Sequence, residues 1–288
     1  RDDVESRGLG DVYKRQILTQ DNTGTPYYLA LNPNTAPFDN RDVRLAFRSA
    51  IDIDSILDGV YDGVYDKAWS TTLPGTPPEG SFDESLVNSW SYDPDEAARL
   101  LDKAGYTSRD SEGYRVKDGK RLRIEWYVDS LYVQTDQRQQ LGEAIAASLK
   151  DAGFEVVRTP FDTASFTSEI AKGTHNLADA SRGFAEVATS VSPFAASSIP
   201  RSGGGSGINY GLLDDPVVNE AYSVISTSQD TDARIAAAHT AQKRILDEGF
   251  AVPLYIPKKI VGTTPAVSGW KFDLVGYTDT FYDVQINN

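Results

Sequence analysis

The feature that most constrains the fold is a strand, a helix and a second strand set end to end between Leu122 and Arg158. Leu122, Ile124, Trp126 and Val128 alternate with polar residues, the two-residue period of a strand. Leu141, Ile145 and Leu149 then recur every fourth residue in a helix read from about Asp136 to Ala152, and Gly153 stops it. The next strand, Phe154 to Arg158, follows at once. This succession is the β-α-β grammar of a mixed α/β sheet with flanking helices.

Elements on either side are bounded by caps and turns. Residues 26–31, PYYLAL, read as a strand closed by the turn Asn32-Pro33-Asn34. Asn40 or Asp39 caps a helix over Val43, Leu45, Ala46, Phe47 and Ala50, and Asp54 starts another at Ile56. Residues 71–80, with Pro74, Pro77 and Pro78, are a loop. In Tyr92 to Tyr106, Asp93 caps a helix, Pro94 takes its first position, Glu96 completes a capping box and Gly105 ends it. Asp118-Gly119 reads as a hairpin turn. Asp162 or Thr163 opens a short helix through Ile170, and the Ser/Gly run 202–207 is flexible by composition. Asp215-Pro216 and Asp230 open two further helices. The end is β-rich, with strands at 252–256, 259–263 and 281–286, and Pro253 and Pro257 point to a sheet edge.

Composition removes whole classes of function. With 28 Lys+Arg against 42 Asp+Glu the formal charge is −14, which argues against a nucleic-acid partner, since that affinity rests on cations neutralising phosphates. Cysteine is absent, which excludes thiolate metal sites, cysteine nucleophiles and disulfides. The two histidines, His175 and His239, form no metal-binding pattern, and no cofactor is expected. No run of 18 apolar residues occurs, so nothing spans a membrane.

Catalytic constellations are missing as well. The acid pairs Asp52/Asp54, Asp93/Asp95 and Asp214/Asp215 sit at helix starts, where capping explains them. No G-x-S-x-G elbow occurs, and Gly203 to Gly207 lacks the preceding strand and following Lys-Ser/Thr of a phosphate loop. Aromatic residues in loops and at strand edges, Tyr27, Tyr28, Trp69, Trp90, Phe184 and Tyr210 among them, are better placed to line a binding cleft. Trp126 reads as core.

Residues 1–16 show no periodicity, and Ser6 to Gln16, SRGLGDVYKRQ, resembles the translation of a transposase-type sequencing adaptor. The chain also contains no methionine. Both observations predict a reading frame truncated upstream, with residues 1–16 outside the fold.

Three stretches carry a family resemblance: Tyr27-Tyr28-Leu29-Ala30-Leu31-Asn32, Pro37-Phe38-Asp39-Asn40-Arg41-Asp42-Val43-Arg44-Leu45-Ala46-Phe47, and Ala50-Ile51-Asp52 with Ile56 and Gly63. Tyr92-Asp93-Pro94-Asp95-Glu96-Ala97 to Ala104-Gly105-Tyr106, Ala152-Gly153-Phe154-Glu155-Val156, Asn209-Tyr210 and Asp215-Pro216 continue it in order. From about residue 24 to its end the chain resembles the family 5 extracellular solute-binding proteins, receptors of ABC importers for peptides, nickel or oligosaccharides.

The resemblance implies a two-lobed, periplasmic-binding-protein-like fold of which this chain is the C-terminal part. Residues 17–35 are expected as a crossover strand of the first lobe, 36–245 as the second α/β lobe, and 246–288 as return strands of the first. It also implies a monomer without enzymatic activity, outside the cytoplasmic membrane or in the periplasm, held to the membrane only through a lost lipid anchor. The implied partners are a small solute, peptide-like or oligosaccharide, and the permease subunits. Two other readings stay open: a ligand-sensing module of a regulator with the same fold, and a carboxylate-based glycoside hydrolase. In peptide-binding members an Asp shortly after a Gly-Trp pair holds the ligand's α-amino group. Here the stretch is Gly183-Phe184-Ala185-Glu186-Val187, with Val187 at the Asp position and Glu186 one residue away. The expected ligand-binding residues are Tyr28, Asn32, Trp69, Phe184, Glu186, Asn209 and Tyr210.

Overall fold

The computed structural model describes residues 16–133, 137–180, 186–201, 207–272 and 281–287. Its first half contains β1 (Gln16–Asp21), β2 (Tyr27–Leu31), α1 (Arg41–Ser49), α2 (Ile53–Tyr61), α3 (Pro94–Lys103), β3 (Ser108–Arg109), β4 (Arg115–Lys117), β5 (Lys120–Arg121), β6 (Arg123–Asp129) and α4 (Ser130–Val133). The second half contains α5 (Arg138–Ala152), β7 (Glu155–Phe161), α6 (Thr163–Ile170), β8 (Leu177–Ala180), α7 (Val187–Val191), α8 (Pro216–Thr227), α9 (Thr231–Asp247), β9 (Ala251–Tyr255), β10 (Lys258–Thr263), β11 (Val267–Ser268) and β12 (Gln285–Ile286).

A five-stranded mixed sheet in the order β7-β6-β8-β2-β9 organises these elements. The β6-α5-β7 unit read from the sequence is there, and its two strands pair in parallel from Arg123↔Glu155 to Asp129↔Phe161. β8 also runs parallel to β6, whereas β2 is antiparallel to both β8 and β9. Along β2 every residue is buried, because both faces of the sheet are covered. Tyr27, Leu29 and Leu31 enter a core shared with α1, α2, α3 and α5; Tyr28 and Ala30 enter a second core shared with α7, α8 and α9. β9 is the edge strand, which fits its Pro253, and the backbone of Lys67 and Ala68 covers its open side. Three arginines of α1 tie the two sides of this edge together. Arg41, Arg44 and Arg48 donate to the carbonyls of Asp247, Glu248 and Leu246 at the end of α9, where cations complement the helix dipole.

Several expectations are corrected in detail. β2 and β9 are hydrogen-bonded into the same sheet as β6, β7 and β8, and the boundaries expected at 35/36 and 245/246 run through that sheet. The separate β1–β10 pair is what stands outside it. Gln16, the last residue set apart from the fold, is the first residue of β1 and pairs with Thr263; residues 1–15 lie outside the described residues. Asp52, not Asp54, caps α2, while Asp54 pairs with Lys67. The capping box of α3 is half made: Asp93 accepts from the Glu96 amide, but Asp93 N–H donates to Ser49 O at 2.8 Å and the Glu96 carboxylate takes Arg99 instead. A tertiary acceptor from α1 outcompetes the local one. The strand read at 281–286 shrinks to Gln285–Ile286 on β11, and the Ser/Gly positions 202–206 lie outside the described residues.

Candidate functional site

β6, β7 and β8 all end at one edge of the sheet, at Asp129, Phe161 and Ala180. In open α/β sheets the crevice beyond such carboxyl ends is where ligands bind. The antiparallel strands meet the same edge, β2 beginning at Tyr27 and β9 finishing at Tyr255, which pair with each other. β1 leads into β2 and β10 leaves β9 there, joined by Asn22 N–H donating to Pro257 O at 2.8 Å.

Tyrosines line this edge. The Tyr255 ring stacks on Tyr27 and Tyr65, with centroids 5.1 and 4.7 Å away, and Tyr61 leans against it at 5.4 Å. A hollow of about 360 Å³ beside them is lined by Tyr61, Asp62, Val64, Tyr65 and Gln137. The Tyr27 hydroxyl donates to Asp179 Oδ2 at 2.5 Å, and Trp126 Nε1 donates to Asp179 Oδ1 at 3.3 Å, so one carboxylate joins three strands. The Arg138 guanidinium lies over the Tyr27 ring at 4.6 Å. Burial, reinforced by the Asp179 carboxylate, holds the Tyr27 phenol well above the usual tyrosine range. On the opposite face of the sheet Asp129, 8 % exposed, accepts from Leu131 N–H at 3.0 Å and from the Thr163 hydroxyl at 2.8 Å. Among the described residues no three His, Cys, Asp or Glu side chains converge as a metal site.

The residues expected from the sequence do not gather at one place. Tyr28 is buried against Phe194 in the core under α7 to α9. Asn32 is buried and donates to the carbonyl of His175, and Asn209, equally buried, spans Ala195 O and Leu213 O. Tyr210 is half-buried with its ring edge-on to Phe166 and its carbonyl on His175 Nε2, an imidazole that burial pushes below its usual range. Trp69 stands edge-on to Trp90, and the Lys67 ammonium lies 4.4 Å from both indoles. Glu186 caps α7 through the Ala188 amide and pairs with Arg234, while Val187 is fully buried. Phe184 lies outside the described residues.

The sequence does not single out Asp129, Arg138, Asp179 and Tyr255, and it offers Tyr27 only among the aromatics able to line a cleft, not among the expected ligand-binding residues. Tyr27 is one residue from Tyr28, and in a strand one residue is the difference between faces. Asp129 carries a usable signal, as the last residue of the first strand in a β-α-β unit. Asp179 and Arg138 carry none, because what defines them are contacts to Tyr27, far away in sequence.

Comparison with known proteins places this geometry. The family model for bacterial extracellular solute-binding proteins, family 5 middle, matches residues 3–198, which includes most of the stretch set apart at the N-terminus. The chain is 26% identical over 257 residues to the nickel-binding periplasmic protein of Escherichia coli (strain K12), covering 81% of this chain and 43% of that protein. It is 23% identical over 274 residues to the dipeptide-binding protein DppE of Bacillus subtilis (strain 168), covering 92% and 47%. Among solved structures it superposes on NikA from Brucella suis in complex with Fe(III)-EDTA with a TM-score of 0.81 at 22% identity, covering 98% of this chain and 54% of that one. The oligopeptide-binding protein AppA from Bacillus subtilis in complex with a nonapeptide gives 0.76 at 16% identity, with 99% and 55% covered. The chain thus spans about half the length of the relatives it matches. It belongs to the bacterial extracellular solute-binding proteins of family 5.

Proposed function

We propose that this chain supplies one lobe of the substrate-binding component of an ABC importer. The lobe captures a small solute at the carboxyl edge of its sheet and delivers it to the permease from outside the cytoplasmic membrane. The observation that carries the reading is a coincidence of place: the β1–β10 pair leaves the sheet at the edge where the tyrosines, Arg138, Asp129 and the adjoining hollow lie. A two-stranded connection beside a ligand crevice is a hinge in the right position, because a small rotation about it opens or closes the crevice. The lobe boundary proposed here is therefore the β1–β10 pair, with β2 and β9 inside the lobe. The functions named for the relatives, nickel, dipeptide and oligopeptide binding, favour a peptide-like or chelated solute. Glu186 is engaged by Arg234 and by the Ala188 amide, so the contacts assigned to the ligand move to the carboxyl edge. Tyr28, Asn32 and Asn209 are assigned structural roles, Tyr28 in the core under α7 to α9, Asn32 at the opposite end of β2 and Asn209 between the carbonyls of Ala195 and Leu213.

Hydrogen exchange read by mass spectrometry, with and without a pool of peptides, oligosaccharides and NiCl₂, tests this. The expected result is slowed exchange in residues 128–131, 160–165 and 255–263. Slowing confined to the α8–α9 face, or none with any component, would overturn the proposal.

A further inference from the structure

Two acidic side chains are buried among the described residues, Asp129 and Asp215. Asp215 faces the Arg244 guanidinium at 2.9 Å and caps α8. Asp129 has no basic partner among the described residues: its Oδ1 accepts from Leu131 N–H and from Thr163 Oγ1, and no further hydrogen bond or ion pair from them reaches it. Leaving a buried carboxylate without a countercharge is costly unless something else supplies one. Other acids at this edge are less buried: Asp179 accepts from Tyr27 and Trp126, Asp66 is exposed and pairs with Lys258, Asp162 is exposed and caps α6, and Asp62 is exposed beside the hollow.

Position makes the exception informative. Asp129 is the last residue of β6, and Thr163, which orients it, opens the helix after β7. Both therefore stand where neighbouring parallel strands end, the place at which such sheets receive ligands. Two donors fix one oxygen and leave the other without a partner among the described residues, so the group is pre-oriented before a ligand arrives. Leu131, two residues on and 57 % exposed, gives an apolar surface beside it. A formal charge of −14 on the chain favours the approach of cations.

We propose that Asp129 is a specificity-determining residue of the solute site, and that the solute class it selects carries an ammonium or guanidinium group next to an apolar part. The inference rests on the importer reading above and adds the charge of the ligand to it. A cationic donor on a pre-oriented carboxylate forms a charge-assisted hydrogen bond. Removing the charge by Asp129→Asn is expected to lower affinity about ten-fold or more, the usual worth of a hydrogen bond to a charged group. Asparagine keeps an oxygen for Leu131 and Thr163, so the local fold is retained.

The test is equilibrium dialysis of the 288-residue chain against a synthetic tripeptide pool containing Lys, Arg and Leu, and against the same pool with every amine acetylated and Arg replaced by citrulline. The expected result is ten-fold or greater retention of the cationic pool, with Asp129→Asn retaining both pools equally and weakly. Equal retention of the two pools by the wild type overturns the proposal without any variant, as does undiminished retention of the cationic pool by Asp129→Asn. If an oligosaccharide pool is retained and neither peptide pool is, the importer reading stands and the cationic specificity falls. If neither peptides, oligosaccharides nor NiCl₂ are retained, both fall.

Discussion

Replacing Tyr27 by Phe tests whether the Tyr27–Asp179–Trp126 junction holds the carboxyl edge together, and pH provides a second, independent handle. Phenylalanine fills the same space, so the loss is the 2.5 Å hydrogen bond to Asp179 rather than a cavity. A hydrogen bond to a charged acceptor contributes about 1.5–3 kcal/mol, so Tyr27→Phe should lower stability by about 2 kcal/mol at pH 7 to 9. Burial and the Asp179 charge hold the phenol well above its ordinary value of 10.0 in the folded state. Above pH 10 the unfolded chain loses this proton while the folded chain keeps it. Folding then binds a proton, and the advantage of tyrosine over phenylalanine shrinks by about 1.4 kcal/mol per pH unit. The two stability curves should cross near roughly pH 11.5, where about 2 kcal/mol has been used up. Tyr106, whose phenol is also pushed up by burial, is present in both proteins and cancels in the difference. Urea unfolding of both proteins at half-unit steps from pH 7 to 11 measures the difference directly. A difference that stays constant from pH 9 to 11, or a variant as stable as wild type at pH 7, would refute the reasoning.

Other expectations concern packing, capping and acid stability. At Asp215 burial raises the carboxyl group's pKa, but the Arg244 guanidinium and the Val217 and Val218 amides outweigh it and hold the group below the usual carboxylate range. Its stabilisation is therefore present above about pH 4 and fades below. Asp215→Asn should cost about 2 kcal/mol at pH 7, less than a fully buried pair because Arg244 is partly exposed, and the gap should close as acid unfolding is followed downward. A side chain at Gly142 would meet the Arg158 guanidinium and drive it from the Trp126 face, 4.9 Å away. Gly142→Ala alone should therefore change tryptophan fluorescence and gain no stability, whereas in an Arg158→Met background it should stabilise by about 1 kcal/mol through helix propensity. Asp93→Ala should cost about 1 kcal/mol in thermal unfolding, as N-caps do, while Glu96→Ala should leave the cap intact because its carboxylate does not take part.

Much of the architecture is legible because it is written in short-range patterns. The Leu141, Ile145, Leu149 stripe and the alternation up to Val128 report which face of each element is buried, and those periods need no knowledge of the partner. Caps are equally readable where the capping oxygen and the amide it serves lie within three residues, as at Asp162, Asp215 and Asp230. The same logic fails at Glu96 as soon as Ser49, from another helix, competes for the Asp93 amide.

The candidate site is legible only in outline, because a site is a set of long-range coincidences. Tyr28 and Tyr27 are indistinguishable by composition, and the pairing of β2 with β8 and β9 decides that the first points into the core of α7 to α9 and the second toward Asp179. Glu186 reads as free for a ligand until α9 brings Arg234 to it, and Asp129 reads as ordinary until it proves to be buried with no ion pair to a described residue. By itself the sequence determined the class of fold, the helix and strand periods, the family and the exclusion of thiol chemistry, all properties of neighbouring residues or of composition. Tertiary structure alone decided which strands share a sheet, which tyrosine faces the edge and which buried carboxylate is left without a countercharge among the described residues. Those depend on groups more than a hundred residues apart, such as Tyr27 and Asp179, meeting within hydrogen-bonding distance.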